Sequence, residues 1–182
     1  MKRIKVWDPL VRLFHWSLVI GFTLNMTVLE EEGRAHEQVG YFVLALVLLR
    51  ILWGFVGSRH ARFSAFPPSL RAALGHLEGI ARGIPDRAVS HNPLGALMVY
   101  NLLATMIALG LTGWLMTRGA DPGEGWIGEL HEVIASWAVF SVVAHVAAVI
   151  YESRRSQVNL VKAMITGTKE FTDDGQTPRV KR

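Results

Sequence analysis

Histidines inside apolar segments are the residues of this chain with the clearest capacity for chemistry. The 182 residues include seven histidines and no cysteine, which excludes cysteine-ligated iron–sulfur clusters, thiolate zinc sites and covalently attached haem. Neutral imidazole is the commonest metal-ligating side chain, and ionisable residues at membrane depth mark functional sites. The candidates are His15, His36, His131 and His145.

Long apolar segments carry these four histidines. A membrane-spanning helix needs about 20 mostly apolar residues. Four stretches qualify: 10–29, 36–56, 94–117 and 126–151. The core of a soluble protein explains one such run but not four in a chain of this length. The sequence therefore predicts an all-α integral membrane protein, built as a four-transmembrane-helix bundle.

The basic residues predict the orientation of this bundle. Most of the 19 Lys and Arg lie at the N-terminus, in the 57–92 loop and after residue 152, whereas the other two loops are acidic. Basic loops stay on the cytoplasmic side, so we expect both termini to be cytoplasmic. The positive charge is thus a sign of topology and not of nucleic-acid binding.

The chain is expected to form one domain over residues 1–170. Helical spacing and mixed charge predict short helices lying on the membrane surface at about 69–84 and 158–166, the second ended by Gly167. Residues 171–182 are polar, and we expect a disordered tail.

Topology sorts the four histidines into two pairs by depth. His15 and His145 fall near the cytoplasmic side, and His36 and His131 near the outer side. Positions 131 and 145 are about 21 Å apart along a helix, and their side chains leave the helix within about 40° of the same direction. This arrangement suits two flat macrocycles at two depths, each held by two imidazoles. Such haems have no open iron position, so they would carry electrons. The alternative for each histidine is a neutral buried side chain bonded to a neighbouring helix.

A function is less strongly indicated for the other polar residues. Arg12 and Arg50 lie towards the inner side and are candidate contacts for haem propionates. Snorkelling of the side chains to the interface explains them equally well. Three loop histidines are expected to be solvated: His60, His76 and His91.

Several short segments resemble the bacterial cytochrome b561 family, which overlaps the b-type cytochrome subunits of nickel–iron hydrogenases. They are WDPLVRLFHW at 7–16, HEQVG at 36–40, LHEVIASW at 130–137 and NLVKAMITG at 159–167. The resemblance implies four membrane helices and two b-type haems with histidine ligands on the first, second and fourth helices. His15, His36, His131 and His145 match those ligand positions. It also implies the bacterial inner membrane.

The expected function is that of a di-haem b-type cytochrome carrying electrons across or within the membrane, between the quinone pool and a redox partner. Whether the chain itself acts as a quinone-linked oxidoreductase stays open. Candidates for proton exchange with quinone are Glu37, Glu132 and Glu152. One alternative is a haem-bearing membrane anchor subunit of a hydrogenase or another dehydrogenase. A haem-free transporter using the histidines is the other, although the repeated halves of such folds are not visible here.

Overall fold

The computed structural model describes residues 2–31, 33–84, 88–119 and 125–171. Helices dominate these residues, and two short strands lie at the ends of the chain. In chain order the elements are β1 (Lys2–Lys5), α1 (Pro9–Thr27), α2 (Arg34–Val56), α3 (Leu70–Ala81), α4 (Pro93–Thr117), α5 (Trp126–Ser156), α6 (Leu160–Thr166) and β2 (Thr168–Phe171).

The long helices match the predicted membrane segments to within a few residues. Among the described residues, α2, α4 and α5 are long and apolar enough to cross a membrane. The chain is therefore a multi-pass membrane protein. Helix α1 has 19 residues and is therefore about 28 Å long. That α1 also crosses the membrane stays a prediction. Helix α5 continues past the predicted end at 151 to Ser156, with Arg154 and Arg155 in its last turn.

A two-stranded sheet corrects the all-α prediction. Strand β1 pairs with β2 in antiparallel register, with Lys2 opposite Phe171 and Lys5 opposite Thr168. Phe171, predicted to begin the disordered tail, is thus the last residue of a strand. Residues 172–182, the rest of that predicted tail, lie outside the described residues.

The chain divides into two compact units, and the long helices contribute to both. Unit 1 comprises Met1–Arg12, Trp53–Tyr100 and Val143–Arg182. Its buried core consists of Val6, Trp7, Val11, Ala61 and Ala163.

Gly167 connects α6 to the core of unit 1. It ends α6 in the left-handed conformation, with φ +83°, as expected from the sequence. Its carbonyl accepts hydrogen bonds from the backbone N–H groups of Val6 and Trp7, at 2.9 and 3.1 Å. A Cβ at this position would lie 2.7 Å from the Trp7 carbonyl oxygen, so a larger residue would displace one of these segments.

The two predicted surface helices are present as α3 and α6. The Ser69 hydroxyl caps α3 by accepting from the backbone of Ala72, and the Asn159 side chain caps α6 by accepting from that of Lys162. Their position on the membrane surface stays a prediction.

Unit 2 comprises Leu13–Leu52 and Asn101–Val142, and its helices pack closely through glycines. A Cβ on Gly21 would lie 2.7 Å from Val43 Cγ2, and one on Gly110 would lie 2.7 Å from Leu44 Cδ1. Small residues at such points let membrane helices approach one another. Helices α4 and α5 are also joined by the Asn101 amide, which donates to Ser141 Oγ at 3.0 Å.

Candidate functional site

A cavity in unit 2 brings His36 of α2 and His131 of α5 together. The space between these side chains, counted together with the part open to the outside, is about 660 Å³. The lining is largely apolar, as a macrocycle requires. The main apolar contributors are Phe22, Met26, Val43, Met106, Leu109 and Ala135.

His131 is held by a hydrogen bond from one helix to the next. Its Nδ1 lies 2.8 Å from Oγ1 of Thr112 on α4. The Thr112 hydroxyl also lies 2.9 Å from the Ala108 carbonyl and 3.1 Å from the Leu109 carbonyl, and when it donates to either of them its oxygen accepts from the Nδ1–H of the imidazole. In that tautomer Nε2 carries the lone pair needed to bind a metal. A Cβ on Gly113 would lie 3.5 Å from His131 Cε1, so the ring packs against a bare stretch of α4.

His36 lines the same cavity. Its Nδ1 is buried and has no hydrogen-bond partner among the described residues. The His36 carbonyl accepts from the Asn25 amide at 3.2 Å, which ties α1 to the start of α2. One turn later, a Cβ on Gly40 would meet only Asn25 Nδ2, at 3.7 Å, so the space beside His36 is open.

The donor set of this cavity fits a haem. Two imidazoles from different helices, a largely apolar lining and glycines beside the space would suit a flat ring bound by two histidine nitrogens. Among the described residues, no group of three or more His, Cys, Asp or Glu is arranged to hold a bare metal ion.

Polar groups in the cavity lining include Glu37, Tyr41 and Thr117. The hydroxyl oxygens of Tyr41 and Thr117 are 2.5 Å apart and join α2 to α4. Of the three glutamates considered for proton exchange, Glu37 lines the cavity. Glu152 instead lies in unit 1, where its carboxylate is 3.4 Å from the Arg155 guanidinium.

The predicted inner pair falls in different units. His15 belongs to unit 2, where its ring packs edge-on against Trp16 at 5.1 Å, and His145 belongs to unit 1. Their role as a ligand pair stays a prediction. Arg50 is buried in unit 2. Arg12 lies in unit 1 and donates to the Ile165 carbonyl in the last turn of α6, a structural contact that the sequence analysis did not anticipate.

The three loop histidines are half-buried, which corrects the prediction that they are solvated. The ring of His91 packs against Trp7 and Phe66, with centroid distances of 4.8 and 4.3 Å. Burial lowers the pKa of His60, and the positive charges of Arg59 and Lys169 lower it further. These aromatic and charged neighbours come from distant parts of the chain, so local polarity does not reveal them.

Asp8 is a structural residue that the sequence analysis missed. One carboxylate oxygen accepts from the backbone N–H of Val11 at 2.9 Å and caps α1. The other accepts from Trp53 Nε1 at 3.1 Å and from the Ser58 hydroxyl. An Asp-Pro pair just before an apolar run is a known start signal for a helix and could have identified the cap.

Comparison with known proteins identifies the family. The family model for prokaryotic cytochrome b561 matches residues 6–167. Similar proteins include probable Ni/Fe-hydrogenase B-type cytochrome subunits from three bacteria. That of Bradyrhizobium diazoefficiens is 25% identical over 93% of this chain and 87% of its own length. That of Rhodobacter capsulatus is 25% identical over 94% and 83%, and that of Azotobacter vinelandii 27% over 94% and 90%. No solved structure matches the chain. The chain therefore belongs to the prokaryotic cytochrome b561 family, and it is a membrane protein that holds haem b and transfers electrons.

Proposed function

We propose that this protein is a di-haem cytochrome that carries electrons between the quinone pool and a protein redox partner. His36 and His131 are the proposed axial ligands of an outer haem, and His15 and His145 those of an inner haem. The cavity that contains both His36 and His131 is the observation that carries the proposal. The inner pair rests on the sequence and on the family resemblance.

The residues of the chain have separate tasks in this proposal. A haem bound by two imidazoles supplies one-electron chemistry with no open position for oxygen. His36 and His131 would hold the group from two helices, within a largely apolar lining. Arg12 and Arg50 are proposed contacts for propionates of the inner haem. Glu37 is the proposed proton acceptor when a quinol is oxidised, because it is the candidate carboxylate that lines the cavity.

Four membrane crossings are part of the proposal, and the terminal sheet supports them. Strands β1 and β2 lie near opposite ends of the chain and are hydrogen-bonded to each other, which supports placing both strands on one side of the membrane. Three crossings by α2, α4 and α5 would place the ends on opposite sides. A fourth crossing, by α1, would place the two strands on the same side. The basic loops favour the cytoplasmic side of a bacterial inner membrane.

The second candidate is a haem-bearing anchor subunit of a hydrogenase or another dehydrogenase. The printed names of the relatives favour it, since they describe hydrogenase cytochrome subunits. The two candidates share the haem chemistry and differ in whether a stable enzyme partner is present. Co-purification of a tagged chain from its native membrane separates them: recovery of hydrogenase or dehydrogenase subunits in fixed stoichiometry supports the anchor role.

Haem content of purified protein tests the proposal directly. We expect a b-type α-band in the reduced-minus-oxidised spectrum and two haems per chain. His36→Ala and His131→Ala should each lose the same haem, identified by its midpoint potential. His15→Ala and His145→Ala should each lose the other. His60→Ala, in the 57–92 loop, is the control and should keep both. A missing α-band, or losses that cross the two pairs, would overturn the assignment.

A further inference from the structure

The Thr112 hydroxyl lies within hydrogen-bond distance of three groups. Its oxygen is 2.9 Å from the Ala108 carbonyl, 3.1 Å from the Leu109 carbonyl and 2.8 Å from His131 Nδ1. A hydroxyl has one proton, and a carbonyl can only accept. With the proton directed to one of the two carbonyls of α4, the oxygen accepts from His131 Nδ1–H, and this is the tautomer that leaves Nε2 of His131 available for a metal.

The surroundings of Thr112 make this bond difficult to replace. Thr112 is buried, so water cannot readily take over the role of its hydroxyl. The neighbouring Gly113 places the bare backbone of α4 beside the imidazole, with ordinary van der Waals spacing to a Cβ built there. The ring of His131 is thus fixed by one polar contact and one surface without a side chain.

The two histidines of the cavity differ in the hydrogen bonding of their Nδ1 atoms. His131 Nδ1 is hydrogen-bonded to Thr112, whereas His36 Nδ1 has no such partner among the described residues. A hydrogen bond from the second ring nitrogen makes a histidine a more basic metal ligand and fixes its tautomer. A more basic ligand stabilises the ferric state more than the ferrous state.

We propose that Thr112 is a positioning residue for the outer haem: its hydroxyl holds His131 with Nε2 available for iron and lowers the reduction potential of that haem. This inference rests on the proposed ligation by His131. It goes beyond that ligation because it names the residue that tunes one haem without touching it.

The chain offers a matched control for Thr112. Thr105 is also buried on α4, and its hydroxyl donates to the Asn101 carbonyl one turn earlier, at 2.8 Å. Thr112→Val removes the hydroxyl and keeps the branched shape, and Thr105→Val makes the same change at the control position. Thr112→Ser restores a hydroxyl, and Thr112→Ala removes it without adding a methyl group.

The experiment is a redox titration of the purified haem-loaded variants, with electron paramagnetic resonance of the ferric haems. In Thr112→Val we expect a positive shift in the midpoint potential of one haem and a changed g-value for that haem alone. In Thr112→Ser the midpoint potential and the g-value should return towards the wild-type values. In Thr105→Val both should match the wild-type values. If Thr112→Val fails to accumulate, Thr112→Ala gives the same readout. Selective loss of the outer haem from both hydroxyl-free variants, with retention in Thr112→Ser, also supports the proposal.

Failure of this inference and failure of the proposed function give different results. If His131→Ala loses one haem but Thr112→Val and Thr112→Ala titrate like Thr105→Val, His131 is a ligand and Thr112 does not tune it. If His131→Ala keeps both haems at wild-type potentials, the ligation itself is wrong, and the positioning role falls with it.

Discussion

At the scale of single residues, Asp8 joins more of the chain than any other carboxylate described above. Partial burial raises its pKa, but hydrogen bonds from Ser58, Val11, Trp53 and Leu10 together hold the pKa below its ordinary value of 3.8. The group is therefore ionised at neutral pH. It contributes stability above the unfolded pKa of an aspartate, and that contribution is lost as the pH falls through the lower folded value.

Replacing Asp8 should destabilise unit 1 in a pH-dependent way. Asp8→Ala removes the helix cap and two side-chain hydrogen bonds, and we expect a loss of about 2–4 kcal/mol at pH 7. Thermal unfolding in detergent, followed by circular dichroism, measures it. The difference from wild type should shrink below about pH 4, as the wild-type carboxylate is protonated. Ser58→Ala is the milder control, since it removes one bond. A difference that does not change with pH would contradict the role assigned to the charge.

The sequence predicted those features of single residues that depend on how deep a residue lies in the membrane. It did not predict those that depend on how each helix is rotated about its axis. His36 and His131 could be paired from the sequence because a spanning helix fixes how deep each residue lies. The bond from His131 to Thr112 depends on how α4 and α5 are turned towards each other, and periodicity does not fix that angle. Likewise, His91 is polar by type, but its aromatic neighbours Trp7 and Phe66 lie far away along the chain.

At the scale of elements, hydrophobic length predicted the helices and failed for the strands. Helix α4 has no charged residue over Pro93–Thr117, so its extent follows from composition alone. Strands β1 and β2 have four residues each and pair across nearly the whole chain. Segments that short have no periodicity to recognise, and their pairing requires the packing of unit 1 around Val6 and Gly167.

Helix α3 exposes an apolar stripe that we expect to lie in the headgroup region of the membrane. Leu74 and Leu77 are 53% and 47% exposed, whereas Ala73 is only 2% exposed. Arg71 lies in the first turn of this helix, and Arg82 follows its last residue. The loop that contains α3 connects α2 to α4, two helices long enough to cross the membrane, which keeps α3 near the bilayer surface. Helices with this pattern bury their apolar side at the acyl boundary.

Spin labels can test the position of α3, because the chain has no native cysteine to compete for the label. In liposomes, a label on Leu74→Cys should be accessible to oxygen, which concentrates in lipid. A label on Gly75→Cys, the exposed neighbour, should be accessible to a water-soluble nickel chelate instead. Equal accessibility of both labels to the nickel chelate would show that the stripe faces water.

At the scale of the whole molecule, the pairing of the chain ends limits the possible topologies. The basic loops predict that both termini are cytoplasmic, and the pairing of β1 with β2 agrees with strands that share one side of the membrane. The family and its electron-transfer role follow from the match over residues 6–167. Identities of 25–27% to hydrogenase cytochrome subunits leave the partner of this chain as a proposal.

Reporter fusions can decide between three and four crossings. A green fluorescent protein fused to either terminus should fluoresce, because that reporter folds on the cytoplasmic side, and alkaline phosphatase at the C-terminus should be inactive. Alkaline phosphatase fused after Arg118 should be active, because this site follows α4 on the opposite side. A fusion within 57–92 should behave like the C-terminal one. If the N-terminus and the C-terminus report opposite sides, α1 does not cross the membrane. The β1–β2 pairing could then not form in the native membrane, and the two-haem bundle would lose the helix that carries His15.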